Sequence, residues 1–190
     1  MKKTELRNVY LKKRGELTPG EFHDYNIRIR DRFFANTDLG DARFIHCFLP
    51  VTAKSEVDTW MIIREIWARY PAISVVAPVC DFVTGNLTGR PLRPDTIIRK
   101  NKWGIPEPEE YESVASHQID MVIAPLLVAD LKGHRVGYGK GFYDKFFGTC
   151  RRNIQKIGLS MFEPVQEIMD VEPTDVELTR LITPDACYVF

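Results

Sequence analysis

The run IDMVIAPLLVADLKGHRVGYGKGFYDKFF, Ile119 to Phe147, decides the reading of this chain. It passes without interruption from an apolar, β-prone segment through a loop and a basic glycine turn into an aromatic helix. Gly137, Gly139 and Gly141 alternate with Tyr138 and Lys140. Backbone N–H groups in such a turn can face an anion with little Cβ obstruction, and the turn leads straight into a helix N-terminus. Arg135 and Lys140 add positive charge beside those donors, the first able to grip a phosphate bidentately and the second acting as a mobile point charge. The turn is not a Walker A loop: His134 stands where its first glycine belongs, and Gly141 where Ser or Thr would follow Lys140. It is not the dinucleotide fingerprint either, since the third glycine comes one residue early and Phe142 takes its place. The alternative is a plain flexible connection, for which three glycines and two cations are an expensive choice.

Outward from this block, strand and helix signals alternate. Lys3 to Glu16 reads as a helix with Leu6, Val9, Tyr10 and Leu17 on its apolar face and Lys3, Arg7 and Arg14 along one stripe. Thr18-Pro19-Gly20-Glu21 combines an N-cap, a proline at the first helical position and a capping-box glutamate, so a second helix starts there with Phe22, Tyr25, Ile29 and Phe33 inward. RFIHCFL, Arg43 to Leu49, is a short strand closed by Pro50; a helix from Glu56 to Arg69 follows, with Ser55 as N-cap and Asp58 in the box position. ISVVAPV at Ile73 to Val79 is apolar throughout, as a strand covered on both faces requires, and IDMVIAPLL and IQKIGLS share that character. ACYVF supplies a last strand. The alternation predicts an α/β fold with a mostly parallel sheet covered on both sides. Right-handed crossovers place the loops after Leu49, Leu127 and Gly158 along one sheet edge, where ligands bind in open α/β folds.

Length and composition fit this picture. The 190 residues suit one domain, residues 1–190, with no repeat or long linker; 44% are hydrophobic and 27% charged, an ordinary globular balance. Lys and Arg total 26 against 26 for Asp and Glu, so the overall charge gives no support to nucleic-acid or membrane-surface binding, and any anion site must be local. No apolar run approaches the roughly 18 residues of a membrane span, which makes the cytoplasm the default location. Cys47, Cys80, Cys150 and Cys187 form no C-x-x-C pair and read as free thiols in the interior. Asn86-Leu87-Thr88 reads as a turn between two short strands.

GYGKGFYDKFF, preceded by a strand ending in APLL and by D-x-x-G, resembles the 5-formyltetrahydrofolate cyclo-ligase (5,10-methenyltetrahydrofolate synthetase) family. SEVDT (Ser55 to Thr59), KWGIPEPEE (Lys102 to Glu110) and PTDVELTRLIT (Pro173 to Thr183) occur in the family's order, so the resemblance covers nearly the whole chain. It implies a three-layer α/β/α domain of Rossmann-like type. It also implies ATP-dependent ring closure of 5-formyltetrahydrofolate to 5,10-methenyltetrahydrofolate through a phosphorylated formyl oxygen, with Mg²⁺, in a monomer that meets small molecules only.

The resemblance assigns ATP contacts to Lys3, Arg7, Arg135, Gly137, Tyr138, Gly139, Lys140, Gly141, Phe142 and Tyr143. It assigns folate contacts to Val51, Glu56, Trp103, Tyr138, Phe142 and Tyr143, and the chemical work on the phosphoryl group to Lys140 and Arg135. Each has a plainer alternative. Lys3 and Arg7 suit a solvated helix face, and Arg14, outside the resemblance, reads as a surface charge. Glu56 would complement a helix dipole; Phe142 and Tyr143 would pack in the core, and Trp103 would anchor its loop. Asp144 beside a phosphate site calls for an intervening cation; Mg²⁺ held with Asp175 would provide one, whereas Asp175 alone would cap a turn after Pro173. Two other classes share these features: a sugar-phosphate isomerase, which needs no ATP, and a module that senses ATP without chemistry.

Overall fold

The computed structural model describes residues 1–109 and 112–190; Glu110, the end of the KWGIPEPEE segment, lies outside the described residues. Helices α1 (Lys3–Gly15) and α2 (Pro19–Asn36) precede strand β1 (Phe44–Cys47), and α3 (Trp60–Arg69) leads to β2 (Ser74–Asp81) and β3 (Asn86–Leu92). A small ribbon, β4 (Ile98–Lys100) with β5 (Pro106–Pro108), comes next. Then follow β6 (Met121–Pro125), the short hairpin β7 (Val128–Ala129) and β8 (Arg135–Val136), helix α4 (Phe142–Thr149), β9 (Gln155–Leu159), β10 (Arg180–Ile182) and β11 (Cys187–Val189).

The main sheet runs β11-β10-β9-β6-β1-β2-β3. The five inner strands are mutually parallel, and the outer two, β3 and β11, pair antiparallel to their neighbours. Successive side chains of a strand face opposite sides, and β6 shows the consequence. Met121 and Ile123 pack with Ile29 and Phe33 of α2 and Ile62, Ile63 and Ile66 of α3, while Val122 and Ala124 pack with Phe146 and Phe147 of α4. The two faces are thus both covered, which is why β2 and β6 are apolar without alternation. Helix α1 lies against neither core; its Leu6 and Tyr10 pack on Leu127, Val128 and Val136 of the hairpin, beyond the carboxyl ends of the strands. No helix among the described residues is long and apolar enough to cross a membrane.

The start of α2 follows its sequence: Thr18 accepts from the Glu21 amide, the Glu21 carboxylate accepts from Thr18, and Pro19 holds the first helical position. Several expectations need correction. Val9 and Arg14 exchange the roles read from the helical stripe, Val9 lying exposed and Arg14 buried. Helix α3 begins at Trp60 rather than Glu56. A 3-10 turn, Thr52–Lys54, is closed by Ser55 in the left-handed region at φ 48°, so Ser55 caps no α-helix. Asn86-Leu87-Thr88 belongs to β3; the preceding turn closes on Gly85, with Asp81 accepting from the amides of Val83 and Thr84. Of the thiols, only Cys47 is fully buried, and burial pushes its pKa up to about 12.

Candidate active site at the carboxyl edge

Four segments meet beyond the carboxyl ends of the parallel strands: helix α1, the loop after β1, the turn from Gly137 to Gly141, and the long loop from Leu159 to Arg180. The glycine turn is built as its composition requires. Gly139 and Gly141 take positive φ, 78° and 68°, and Gly141 is the N-cap of α4. A Cβ on Gly139 would come within 3.0 Å of the Arg7 guanidinium, so glycine is needed there for space as well as for conformation. Arg7 Nε donates to the Gly137 carbonyl at 2.8 Å, which fastens α1 to the turn.

Arg7 is therefore brought to the turn, whereas Lys3 reaches the long loop. Lys3 Nζ pairs with Asp175 Oδ2 at 2.5 Å, and the Lys3 amide donates to Asp170 at 2.6 Å, so the N-terminus of α1 is tied to the long loop. Partial burial works against ionisation of Asp175, but the bonds from Lys3 and from the Glu172 amide hold its carboxyl below the usual carboxylate range. Asp175 also closes the Glu172–Asp175 turn, so the turn-forming alternative and the charged role coexist.

Arg135 is nearly enclosed, and its two terminal nitrogens are committed. One donates to the Val176 carbonyl; the other meets Asp144 Oδ1 at 2.6 Å. Asp144 Oδ1 in turn accepts from the Val176 amide at 3.0 Å. The cation that compensates Asp144 is therefore Arg135, and the pair locks the first turn of α4 to the long loop. Lys140 is different: it is exposed at the tip of the turn and has no ion-pair or hydrogen-bond partner among the described residues.

On the other side of the turn, Glu56 is 5% exposed although no helix begins there. Its Oε2 accepts from the Val51 amide at 2.7 Å, and its Oε1 accepts from the Tyr138 hydroxyl at 2.5 Å. The loop of residues 51–56 is thus closed on itself and on the glycine turn, which joins Val51, Glu56 and Tyr138 in one group. Burial, and then the neighbouring Glu56 charge, raise the Tyr138 pKa, so the phenol keeps its proton and donates it to the carboxylate. Lys54 Nζ lies 4.0 Å from the Tyr138 ring centre.

The aromatic residues divide. Phe142 meets Phe82 edge to face at 5.0 Å, and Phe82 stacks on Trp103, which is 46% exposed, to form a wall beside the turn. Phe82 carried no motif and was not visible as a site residue in the sequence. Tyr143 turns inward against His46; its hydroxyl is buried without a partner among the described residues, and burial raises its pKa well above the ordinary value. Arg14 is the other residue that sequence reasoning missed, and its only signal was the seven-residue spacing from Arg7.

Among the described residues no three His, Cys, Asp or Glu side chains converge as a metal cage. Mg²⁺ does not require one, since it commonly takes one or two carboxylates together with substrate phosphates and water. Asp144 and Asp175 border the same loop and each engages through one carboxylate oxygen, a donor set that fits a phosphate-bound Mg²⁺.

An open, mostly parallel α/β sheet whose carboxyl edge gathers an exposed lysine, glycine amides and paired carboxylates defines an anion-handling enzyme scaffold. Comparison with known proteins makes this specific. The sequence pattern of the 5-formyltetrahydrofolate cyclo-ligase family matches residues 1–184, and the chain belongs to that family of ligases. The 5-formyltetrahydrofolate cyclo-ligase of Escherichia coli (strain K12) is 26% identical over 177 residues, 90% of this chain and 94% of that protein. The Haemophilus influenzae protein of the same name is 27% identical over 185 residues, 95% of this chain and 97% of that one. A probable 5-formyltetrahydrofolate cyclo-ligase of Caenorhabditis elegans is 33% identical over 97 residues, about half of each chain (46% and 47%). The fold is shared with the 5,10-methenyltetrahydrofolate synthetase of Aquifex aeolicus, with a TM-score of 0.82 at 22% identity over 100% of this chain and 93% of that one. The Mycoplasma pneumoniae synthetase gives 0.75 at 21% identity over 97% and 99%.

Proposed function

We propose that this protein, acting as a single domain, closes 5-formyltetrahydrofolate to 5,10-methenyltetrahydrofolate at the expense of ATP and with Mg²⁺. A formamide is a poor electrophile, and ring closure would have to expel oxide. Phosphorylation removes that obstacle. The formyl oxygen attacks the γ-phosphorus of ATP and ADP leaves. The neighbouring folate amine then attacks the carbon of the resulting imidate phosphate, phosphate departs with the former formyl oxygen, and the amine proton passes to solvent. No covalent nucleophile on the protein is required; its contribution is positioning and charge stabilisation.

The residues divide that work. Lys140, free to move at the tip of the turn, neutralises charge on the transferring phosphoryl group, and the turn's amides and the N-terminus of α4 face the remaining oxygens. Lys3 and Arg7 hold the nucleotide's phosphates against α1. Arg135 keeps Asp144 and the long loop in register while lending its charge to the site. Asp144 and Asp175 would hold Mg²⁺, which supplies further charge neutralisation on the phosphates. Glu56, aimed by Val51 and Tyr138, takes the hydrogen-bonding end of the folate, and Trp103 with Phe142 forms an apolar wall for its rings. In this reading the protein works as a monomer in the cytoplasm, on small molecules and without nucleic acid or membrane, in keeping with its balanced charge.

The observation that carries the proposal is the meeting of α1 with the glycine turn, Arg7 on Gly137 at 2.8 Å, beside an unpartnered Lys140. The test is spectroscopic. Methenyl-folate should form from 5-formyltetrahydrofolate only when Mg-ATP is present, with one phosphate released per product. Folded protein that gives no product under these conditions would overturn the assignment.

A further inference from the structure

Arg14 is 4% exposed, yet it has no carboxylate partner among the described residues. An arginine on a helix ordinarily extends along its aliphatic stem until the guanidinium reaches water. This one stays inside. Its Nη2 donates to the Tyr138 hydroxyl at 2.5 Å, and its Nε is buried without a partner among the described residues. Burying a charge and orphaning a donor both cost free energy. Two turns earlier on the same stripe, Arg7 bonds the carbonyl of Gly137, the residue next to Tyr138. Helix α1 therefore grips adjacent residues of the glycine turn with two arginines, one at the phosphate side and one at the Glu56 side.

The Tyr138 hydroxyl has one proton, which it gives to Glu56 Oε1 at 2.5 Å while it accepts from Arg14. Arg14, Tyr138 and Glu56 thus form a directed chain from buried cation to buried carboxylate, and the only atom through which Arg14 reaches Glu56 in that chain is the phenol oxygen. We propose that Arg14 is a positioning residue for the folate-binding carboxylate: through Tyr138 it fixes the direction and compensates the charge of Glu56, without itself touching either substrate. The inference rests on the reading above that Glu56 binds the folate, and it adds that folate and nucleotide recognition are measured off one helix.

The test is a double-mutant cycle of Arg14→Met and Tyr138→Phe, with Arg14→Lys as the conservative variant. Loss of the chain should raise the KM for 5-formyltetrahydrofolate by about tenfold, the scale of one charge-assisted hydrogen bond, and Arg14→Met, which alters no residue assigned to the nucleotide, should leave the KM for ATP within about twofold. The double variant should be no worse than the worse single one, because both remove the same path. Arg14→Lys, which still carries a cation to the phenol, should recover most of the loss. The dissociation constant for 5-formyltetrahydrofolate alone, measured calorimetrically, should follow the same order. An unchanged folate KM in Arg14→Met, equal rises in both KM values, or additive effects in the cycle would overturn the role of Arg14 while product formation by the unaltered protein keeps the proposed activity. If the unaltered protein neither binds nor converts the folate, the activity and this inference fall together. If Arg14→Met does not fold, Arg14→Gln, which stays polar but carries no cation to the phenol, replaces it in the cycle and is judged by the same criteria.

Discussion

The two edges of the sheet handle charge in different ways. At the amino edge, Asp120 Oδ2 accepts from the amides of Arg43 and Phe44 at 2.8 and 2.9 Å, and Oδ1 pairs with Arg151 at 2.5 Å. A cavity of about 310 Å³ lies there, lined by Asp41, Asp120 and Arg151 among others, yet the Asp120 carboxylate is spent on the backbone at the start of β1 and on Arg151. At the carboxyl edge, side chains hold backbone groups too, and several also pair with one another across separate segments: Lys3 with Asp175, Arg135 with Asp144, Tyr138 with Glu56. Lys140 there pairs with nothing among the described residues. The edges differ in what is left over: Arg151 is spent on Asp120, whereas Lys140 stays available to an arriving anion. A cavity by itself does not mark the working edge.

The sharpest way to break this contrast is Lys140→Met. Turnover should fall by at least about 100-fold, the scale of removing one stabilising group from a phosphoryl-transfer transition state. The melting temperature should hold, since an exposed and unpaired lysine contributes little to the fold. Retention of near-normal rate would place the chemistry elsewhere. The mirror experiment is Asp120→Ala, which strands two amides and should cost about 2 kcal/mol in urea unfolding while the folded fraction keeps its specific activity. A specific loss of activity would mean that the amino edge takes part in function.

A smaller effect is expected for Gly139→Ala. Its φ of 78° costs an L-residue about 1 kcal/mol, and the added methyl would press on Arg7. The KM for ATP should rise several-fold and that for the folate should hold; kinetics with each substrate varied in turn checks this. The gentlest probe is acid. Asp175 and Asp120 both have pKa values held below the ordinary 3.8, Asp120 by its backbone and Arg151 bonds in spite of its partial burial. A carboxyl whose folded pKa lies below its unfolded one stabilises the fold above the unfolded value, and that contribution disappears as pH falls through the folded value. Urea midpoints should therefore decline below about pH 4, and Asp175→Asn should make the decline shallower. An unchanged slope would show that the Lys3–Asp175 pair adds nothing to stability.

Much of the fold was legible along the chain. The parallel strands announced themselves as apolar runs because both faces of β2 and β6 are covered, and α2 carried its own start signal in Thr18, Pro19 and Glu21. The glycine turn opening an aromatic helix was equally plain. The errors cluster where a partner is distant. Ser55 and Asp58 looked like a helix start, but Glu56 is drawn under Tyr138, 82 positions later, and the chain enters the left-handed region at Ser55 instead. Arg14 looked like a surface charge because its partner stands 124 positions away. The pairing of Asp144 with Arg135, nine residues earlier, was likewise not visible along the chain, and it leaves the other oxygen of Asp144 for the proposed metal.

From residues alone came the alternation of strand and helix, the phosphate-suited turn, and the family's motifs in order, because periodicity, capping and glycine content act over a few neighbouring positions. Folding alone settled which charges are enclosed, which are paired and that Lys140 is left available at the turn. Burial and ion pairing depend on the distance between segments far apart in the chain, and only the packed sheet sets that distance.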